Sequence, residues 1–142
     1  MQGIKRKIVY VALYEAMAIA LSTGLMMLAT EAGAGHAGTL SMVSSAIAIL
    51  WNLAFNTAFE AWEARQAIRG RSIGRRVAHA IGFEMGLTVI FVPLFAWWLG
   101  IGWVAAFALD AGLLLFFLVY TFVFNLGFDR LFGLPASAMP AA

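Results

Sequence analysis

Residues 76–100 read RVAHAIGFEMGLTVIFVPLFAWWLG. Between Arg76 and Gly100 the only formally charged residue is Glu84. The apolar run from 78 to 99 matches the roughly 20 residues that a helix needs to cross the hydrocarbon core of a bilayer. A basic residue at its start and paired tryptophans, Trp97 and Trp98, near its end are the expected anchors of such a span. Pro93 sits inside it, a position that membrane helices tolerate and that favours a kink.

Three further runs of the same kind lie at 8–29, 40–61 and 103–127. The intervening stretches carry loop chemistry. Residues 30–39, TEAGAGHAGT, are small and polar; 62–76, WEARQAIRGRSIGRR, are charged; 99–102, LGIG, form a tight turn. With 63% hydrophobic and 11% charged residues, the composition excludes a soluble domain of this length. The chain has no cysteine, so disulfides and thiolate metal sites are out. No basic stripe interleaved with aromatics suggests nucleic-acid binding. The expected fold is an all-α membrane protein of four transmembrane helices embedded in the lipid bilayer.

All nine Lys and Arg residues fall on one side of this plan. Lys5, Arg6 and Lys7 precede the first span, Arg65, Arg69, Arg71, Arg75 and Arg76 lie between the second and third, and Arg130 follows the fourth. The positive-inside rule puts both termini and the middle loop in the cytoplasm. KRK, an apolar run and Ala32 and Ala34 superficially suit a secretory leader. Glu15 inside the run, and a counterpart of that run later in the chain, argue against one.

That counterpart is part of a repeat. A shift of 69 residues places Arg6-Lys7 on Arg75-Arg76, Tyr10 on His79, and Tyr14-Glu15 on Phe83-Glu84. It also places Trp51 on Tyr120, Phe55-Asn56 on Phe124-Asn125, and Phe59-Glu60 on Phe128-Asp129. Each unit holds two helices, so both enter the membrane in the same direction. The expectation is two parallel tandem copies of a helix pair, 1–69 and 70–142, about a pseudo-two-fold axis along the membrane normal.

Glu15 and Glu84 sit about eight residues into their spans, roughly 12 Å along the helix. An ionised carboxylate there costs at least ~2.5–3.5 kcal/mol on insertion scales, so such residues are functional candidates by default. Hydrocarbon favours the neutral acid, and a group that holds a proton until a cation displaces it is the physical basis of proton-coupled exchange. The plainer alternative is a carboxyl that staples two helices. Asp110, in the fourth span, matches Ser41; it either guides cations at an outer vestibule or meets interfacial water.

Asn52, Asn56 and Glu60 share one helix face, as do Thr121, Asn125 and Asp129. In lipid those amides must point into the bundle. Glu60 and Asp129 lie near the cytoplasmic ends, where they either pair with Arg65, Arg76 or Arg130 or form an acidic entrance. His79 could relay protons or serve as a hydrogen-bonding residue, and its mate Tyr10 weakens the relay. His36 falls in a loop and is expected to be solvated. The two histidines lie on opposite sides, so no metal site is expected. Trp51, Tyr14, Phe83 and Tyr120 are candidates for an aromatic pocket that attracts cations, with simple packing as the alternative.

Four segments together resemble the proteobacterial antimicrobial compound efflux family, built from bacterial transmembrane pair domains. They are Arg76-x-x-His79-Ala80-Ile81-x-Phe83-Glu84; its looser copy Lys7-x-x-Tyr10-x-x-x-Tyr14-Glu15; Trp51-Asn52-x-x-Phe55-Asn56-x-x-Phe59-Glu60-x-x-Glu63; and Asp110 with Tyr120-x-x-x-Phe124-Asn125-x-x-Phe128-Asp129. The resemblance covers nearly the whole chain. It implies a proton-coupled exporter of the inner membrane, with cationic biocides such as chlorhexidine as substrates and short-chain diamines as proposed physiological ones. The family's essential carboxylate of the first helix maps onto Glu15. Lys7 and Tyr10 stand where the motif often has Arg and His, and Glu60 where Asp is common, which bears on substrate range.

The expected activity is therefore antiport of small cationic amphiphiles against protons, with no cofactor beyond the proton, in a homodimer. Two other readings compete with it. A small multidrug resistance-type exporter also has four helices and a first-helix glutamate, but antiparallel dimers tolerate little Lys/Arg bias. A non-transporting membrane subunit would use its carboxylates only to join helices. No Ser/His or metal-ligand constellation suggests an enzyme.

Overall fold

A computed structural model describes residues 3–68, 70 and 72–134. Four helices carry this part of the chain: α1 (Gly3–Ala29), α2 (Ala34–Ala64), α3 (Ile73–Leu99) and α4 (Trp103–Phe132). Each is long and apolar enough to cross a membrane. At ~1.5 Å rise per residue they reach roughly 40–47 Å, the thickness of the core plus its polar interfaces.

The helices outrun the hydropathy segments at their ends. Apolar runs mark only the hydrocarbon portion, whereas Lys, Arg, Glu and Gln continue a helix readily through the interface. Thus α1 begins at Gly3, α2 continues to Ala64 and α3 begins at Ile73. The larger departure is at residues 34–39, expected as loop but forming the first turns of α2. Only 30–33 connect α1 to α2. Packing overrides the weak helix propensity of Gly35 and Gly38: Thr23 of α1 comes so near Gly38 that an added Cβ would stand 3.7 Å from its methyl.

The stops are specific. Thr30 N–H bonds the Met26 carbonyl (2.9 Å) to finish α1. Ser72 caps α3 by accepting from Arg75 N–H at 3.2 Å. Gly100 closes α3 in the left-handed region (φ 62°), where glycine carries no Cβ penalty. Pro93 is accommodated within a continuous α3.

Each helix packs against two neighbours, α1 with α2 and α4, and α3 with α2 and α4. Among the described residues the diagonal pairs stay apart, leaving space along the axis. Away from the arginines, that axis is filled. Met26, Ala37, Leu40, Val92, Phe95, Ala106 and Leu113 form the buried core, with Met26 and Phe95 each only 1% exposed. Met26 and Phe95 are repeat mates, as are Ala37 and Ala106, so this plug straddles the pseudo-two-fold axis. Here His36, expected in a loop, stands in the first turn of α2 and is exposed. Its Nε2–H donates to the Trp98 carbonyl (2.6 Å), and Trp98 Nε1–H returns a bond to the His36 carbonyl (3.2 Å). The reciprocal pair ties the start of α2 to the end of α3.

Toward the basic end, packing changes partners. α1 joins α4 and α2 joins α3 through two aromatic seams, and the repeat reappears bond by bond. Tyr120 Oη–H donates to the Tyr14 carbonyl (2.8 Å), while its mate Trp51 donates Nε1–H to the Phe83 carbonyl (3.0 Å). Tyr10 Oη–H donates to Asn125 Oδ1 (2.5 Å), and its mate His79 donates Nε2–H to Asn56 Oδ1 (2.7 Å). The larger indole of Trp51 needs room. Gly86 supplies it, since a Cβ there would fall within the indole ring. Gly82 similarly lets Phe55 approach, with a Cβ position 3.1 Å from the ring edge.

Candidate functional site

Between the plug and the two seams lies a cavity of about 460 Å³. It is within the usual range for small-molecule sites and is walled mainly by apolar side chains. Glu15 of α1, Glu84 of α3 and Asp110 of α4 all line it, and no lysine or arginine does. A cavity with several acids and no basic group suits cations, since each carboxylate gains from a nearby positive charge in a medium that screens poorly.

The three acids are held differently. Glu15 Oε2 accepts a hydrogen bond from Ser45 of α2. Asp110 Oδ2 accepts from Thr88 Oγ1 at 2.9 Å, across from α3 to α4. Glu84 borders the same cavity from α3. Asp110 thus belongs to the central cavity together with the two glutamates, rather than to a separate outer vestibule. Helical periodicity explains this. Asp110 lies on the same face of α4 as Leu113, Leu114 and Phe117, all of which border the cavity.

The supporting polar residues divide. Asn52 lines the cavity and accepts from Asn56 Nδ2 at 3.2 Å. Asn56, Asn125, His79 and Tyr10 stand outside it, paired across the seams as described above. Of the four aromatics expected to form a pocket, Tyr14 and Phe83 border the cavity. Trp51 and Tyr120 do not; their polar tips reach the backbone of the facing helix instead, as buried Trp and Tyr tend to. The aromatic walls come also from Phe91, Phe95 and Phe117.

At the basic end, Asp129 pairs with Arg6 at 2.5 Å rather than with Arg65, Arg76 or Arg130. Arg6 also donates to the Gly133 carbonyl (3.0 Å) and lies 5.0 Å above the Phe128 ring. In the other seam, Arg75 donates to the Gly70 carbonyl (2.8 Å) and stacks over Trp62. Glu60 and Arg76 are exposed. Sequence reasoning passed over the serines of the cavity, Ser22, Ser41, Ser44 and Ser45. Those of α2 recur on the face that carries Ala48 and Asn52, a spacing that could have drawn attention to them.

The model of the chlorhexidine efflux transporter family matches the chain twice, over residues 2–65 and 71–134. The chain belongs to this family. The two matches are themselves offset by 69 residues, the shift that superposes the motifs and the seam hydrogen bonds. Among curated relatives, the efflux transporter resembles a short-chain diamines transporter of Vibrio parahaemolyticus. The two are 34% identical over 124 residues, 87% of this chain and 88% of the relative. A protein of the same description from Acinetobacter baylyi is 31% identical over 127 residues, 89% of each chain. Another, from Acinetobacter baumannii, is 33% identical over 127 residues, 89% of this chain and 88% of the relative. No solved structure matches. Family and relatives are transporters and not enzymes, and the four spans make this chain a membrane protein.

Proposed function

We propose that this efflux transporter exports dicationic compounds, bis-biguanides such as chlorhexidine and short-chain diamines, in exchange for protons. The observation that carries the reading is the meeting of Glu15, Glu84 and Asp110 in one cavity without a basic residue. A dication seated there neutralises two carboxylates, and protons replace it on release. Competition for the same oxygens couples the two flows without a relay. The family description and the relatives' names support the substrate class.

The proposed setting is the bacterial inner membrane with both termini in the cytoplasm, on the strength of the one-sided Lys and Arg residues. The plug of Met26, Leu40 and Phe95 then lies toward the periplasm. The proposed working unit is a homodimer, since a four-helix bundle by itself offers little room for a translocation path.

The test uses purified protein in liposomes with an imposed pH gradient. Chlorhexidine or cadaverine is added, and proton movement is followed for wild type and Glu15→Gln. Substrate-triggered proton flux in wild type, absent in the folded variant, supports antiport with Glu15 in the coupling step. Substrate export by wild type without proton movement would refute the coupling. Equal flux in both proteins would remove Glu15 from it.

A further inference from the structure

The pseudo-symmetry of the protein fails in the wall of the cavity. On the α1–α2 side the wall carries four hydroxyls, Ser22, Ser41, Ser44 and Ser45. A step of 69 residues replaces them with Phe91, Asp110, Leu113 and Leu114. Glu15 therefore sits among hydroxyls, whereas the α3–α4 side that carries Glu84 adds a second carboxylate and phenyl rings to the wall.

Three of the four serines are engaged. Ser45 donates to Glu15, Ser22 Oγ–H donates to the Ile19 carbonyl at 3.2 Å, and Ser41 Oγ–H points at Met26 Sδ at 3.6 Å. Ser44 Oγ is buried and has no partner. Serines within helices commonly bond back to the carbonyl one turn earlier, and Ser44 does not. A buried hydroxyl left unsatisfied is costly, and this one is on a residue of the cavity wall next to the serine that holds Glu15. Its single χ1 rotor lets the oxygen turn toward a bound group.

We infer that Ser44, together with Ser45 and Glu15, forms a subsite that reads N–H groups on the transported cation. This deepens the dication-export reading and rests on it. A primary ammonium has three N–H donors. One goes to the Glu15 carboxylate and another to Ser44 Oγ, which gains the partner it lacks. A quaternary ammonium carries the same charge and no N–H, so it satisfies Glu15 but leaves Ser44 unpaired. The Glu84–Asp110 end, with Phe91 and Phe117 beside it, takes the second head group by charge and ring contact and makes no such distinction.

The experiment measures equilibrium binding to full-length protein in nanodiscs with two probes of equal chain length, cadaverine and its bis-trimethylammonium analogue. Ser44→Ala is expected to weaken cadaverine about tenfold, the value of one hydrogen bond to a charged donor, and to leave the quaternary probe unchanged. Ser44→Thr, which keeps the hydroxyl, is expected to bind both as wild type does. Should Ser44→Ala fail to fold, Ser44→Cys gives the same contrast, a thiol being a weak hydrogen-bond partner. Unchanged cadaverine affinity, or equal loss of both probes, overturns the subsite. Wild type that is folded and binds neither probe overturns the dication reading beneath it as well.

Discussion

Gly86→Ala probes the α2–α3 seam with one methyl group. The Cβ would fall within the indole of Trp51, so Trp51 must leave its place. Its hydrogen bond to the Phe83 carbonyl (3.0 Å) is then lost. Overpacking of a filled site costs about 1–3 kcal/mol, and an interhelical hydrogen bond in a membrane averages ~0.6 kcal/mol. The expected destabilisation is therefore ~2–4 kcal/mol, read from reversible unfolding in mixed micelles. Because Phe83 and Glu84 line the cavity, displacement of Trp51 is also expected to weaken substrate binding. Gly112→Ala is the control, since nothing lies within 4 Å of the position a Cβ would take there. A second change, Trp51→Phe, removes the clashing ring atoms and is expected to recover the steric part of the loss but not the hydrogen-bond part. Such coupling between neighbours is what a double-mutant cycle measures. Wild-type stability in Gly86→Ala, or additive losses in the double variant, would refute the close packing on which the seam is built.

Two further outcomes follow from the ends of the bundle. Arg6→Ala leaves Asp129 without its partner and removes the contact to Phe128. The Arg6 side chain is 13% exposed but that of Asp129 36%, so solvent screening limits the loss to ~1–2 kcal/mol. Arg6→Ala/Asp129→Ala is expected to lose less than the sum of the single changes in the same unfolding assay. Phe95→Ala opens the plug that separates the cavity from the far end of the bundle. It is expected to let protons leak across liposome membranes in the absence of substrate, whereas wild type holds the gradient. A tight Phe95→Ala vesicle would show that Met26 and Leu40 suffice as the barrier.

Much of this architecture could be read from the chain because the bilayer enforces it. A segment such as 78–99, with one charge in 22 residues, has few alternatives in lipid, and polar residues placed on polar residues at a fixed offset disclose the tandem pairs. The ends of the helices were less legible, since the interface tolerates both helix and loop; residues 34–39 look like a linker and become helix only because Thr23 and Trp98 pack against them. Side-chain partners were legible only in part. The pairing of Arg6 with Asp129, 123 positions away, depends on which helices meet at the basic end. Hydropathy does not encode that choice. The placement of Asp110 in the same cavity as Glu84 turned on the rotation of α4 about its own axis, and α4 is apolar on nearly all sides. The serines were missed for a simpler reason, that small hydroxyls are common in membrane helices and betray a site only once the facing carboxylate is known.

The broken symmetry of the cavity has a consequence in counting. Two identical helix pairs meeting about an axis can present any ionisable side chain to it only in even number. Joined in one chain, the copies are free to differ, and Asp110 opposite Ser41 makes the total three. The tally of acids is thereby odd, so no set of doubly charged guests can balance the fully ionised cavity by itself. Every state with one dication aboard carries either an uncompensated charge or a single proton, a parity that no symmetric assembly of half-length chains could have.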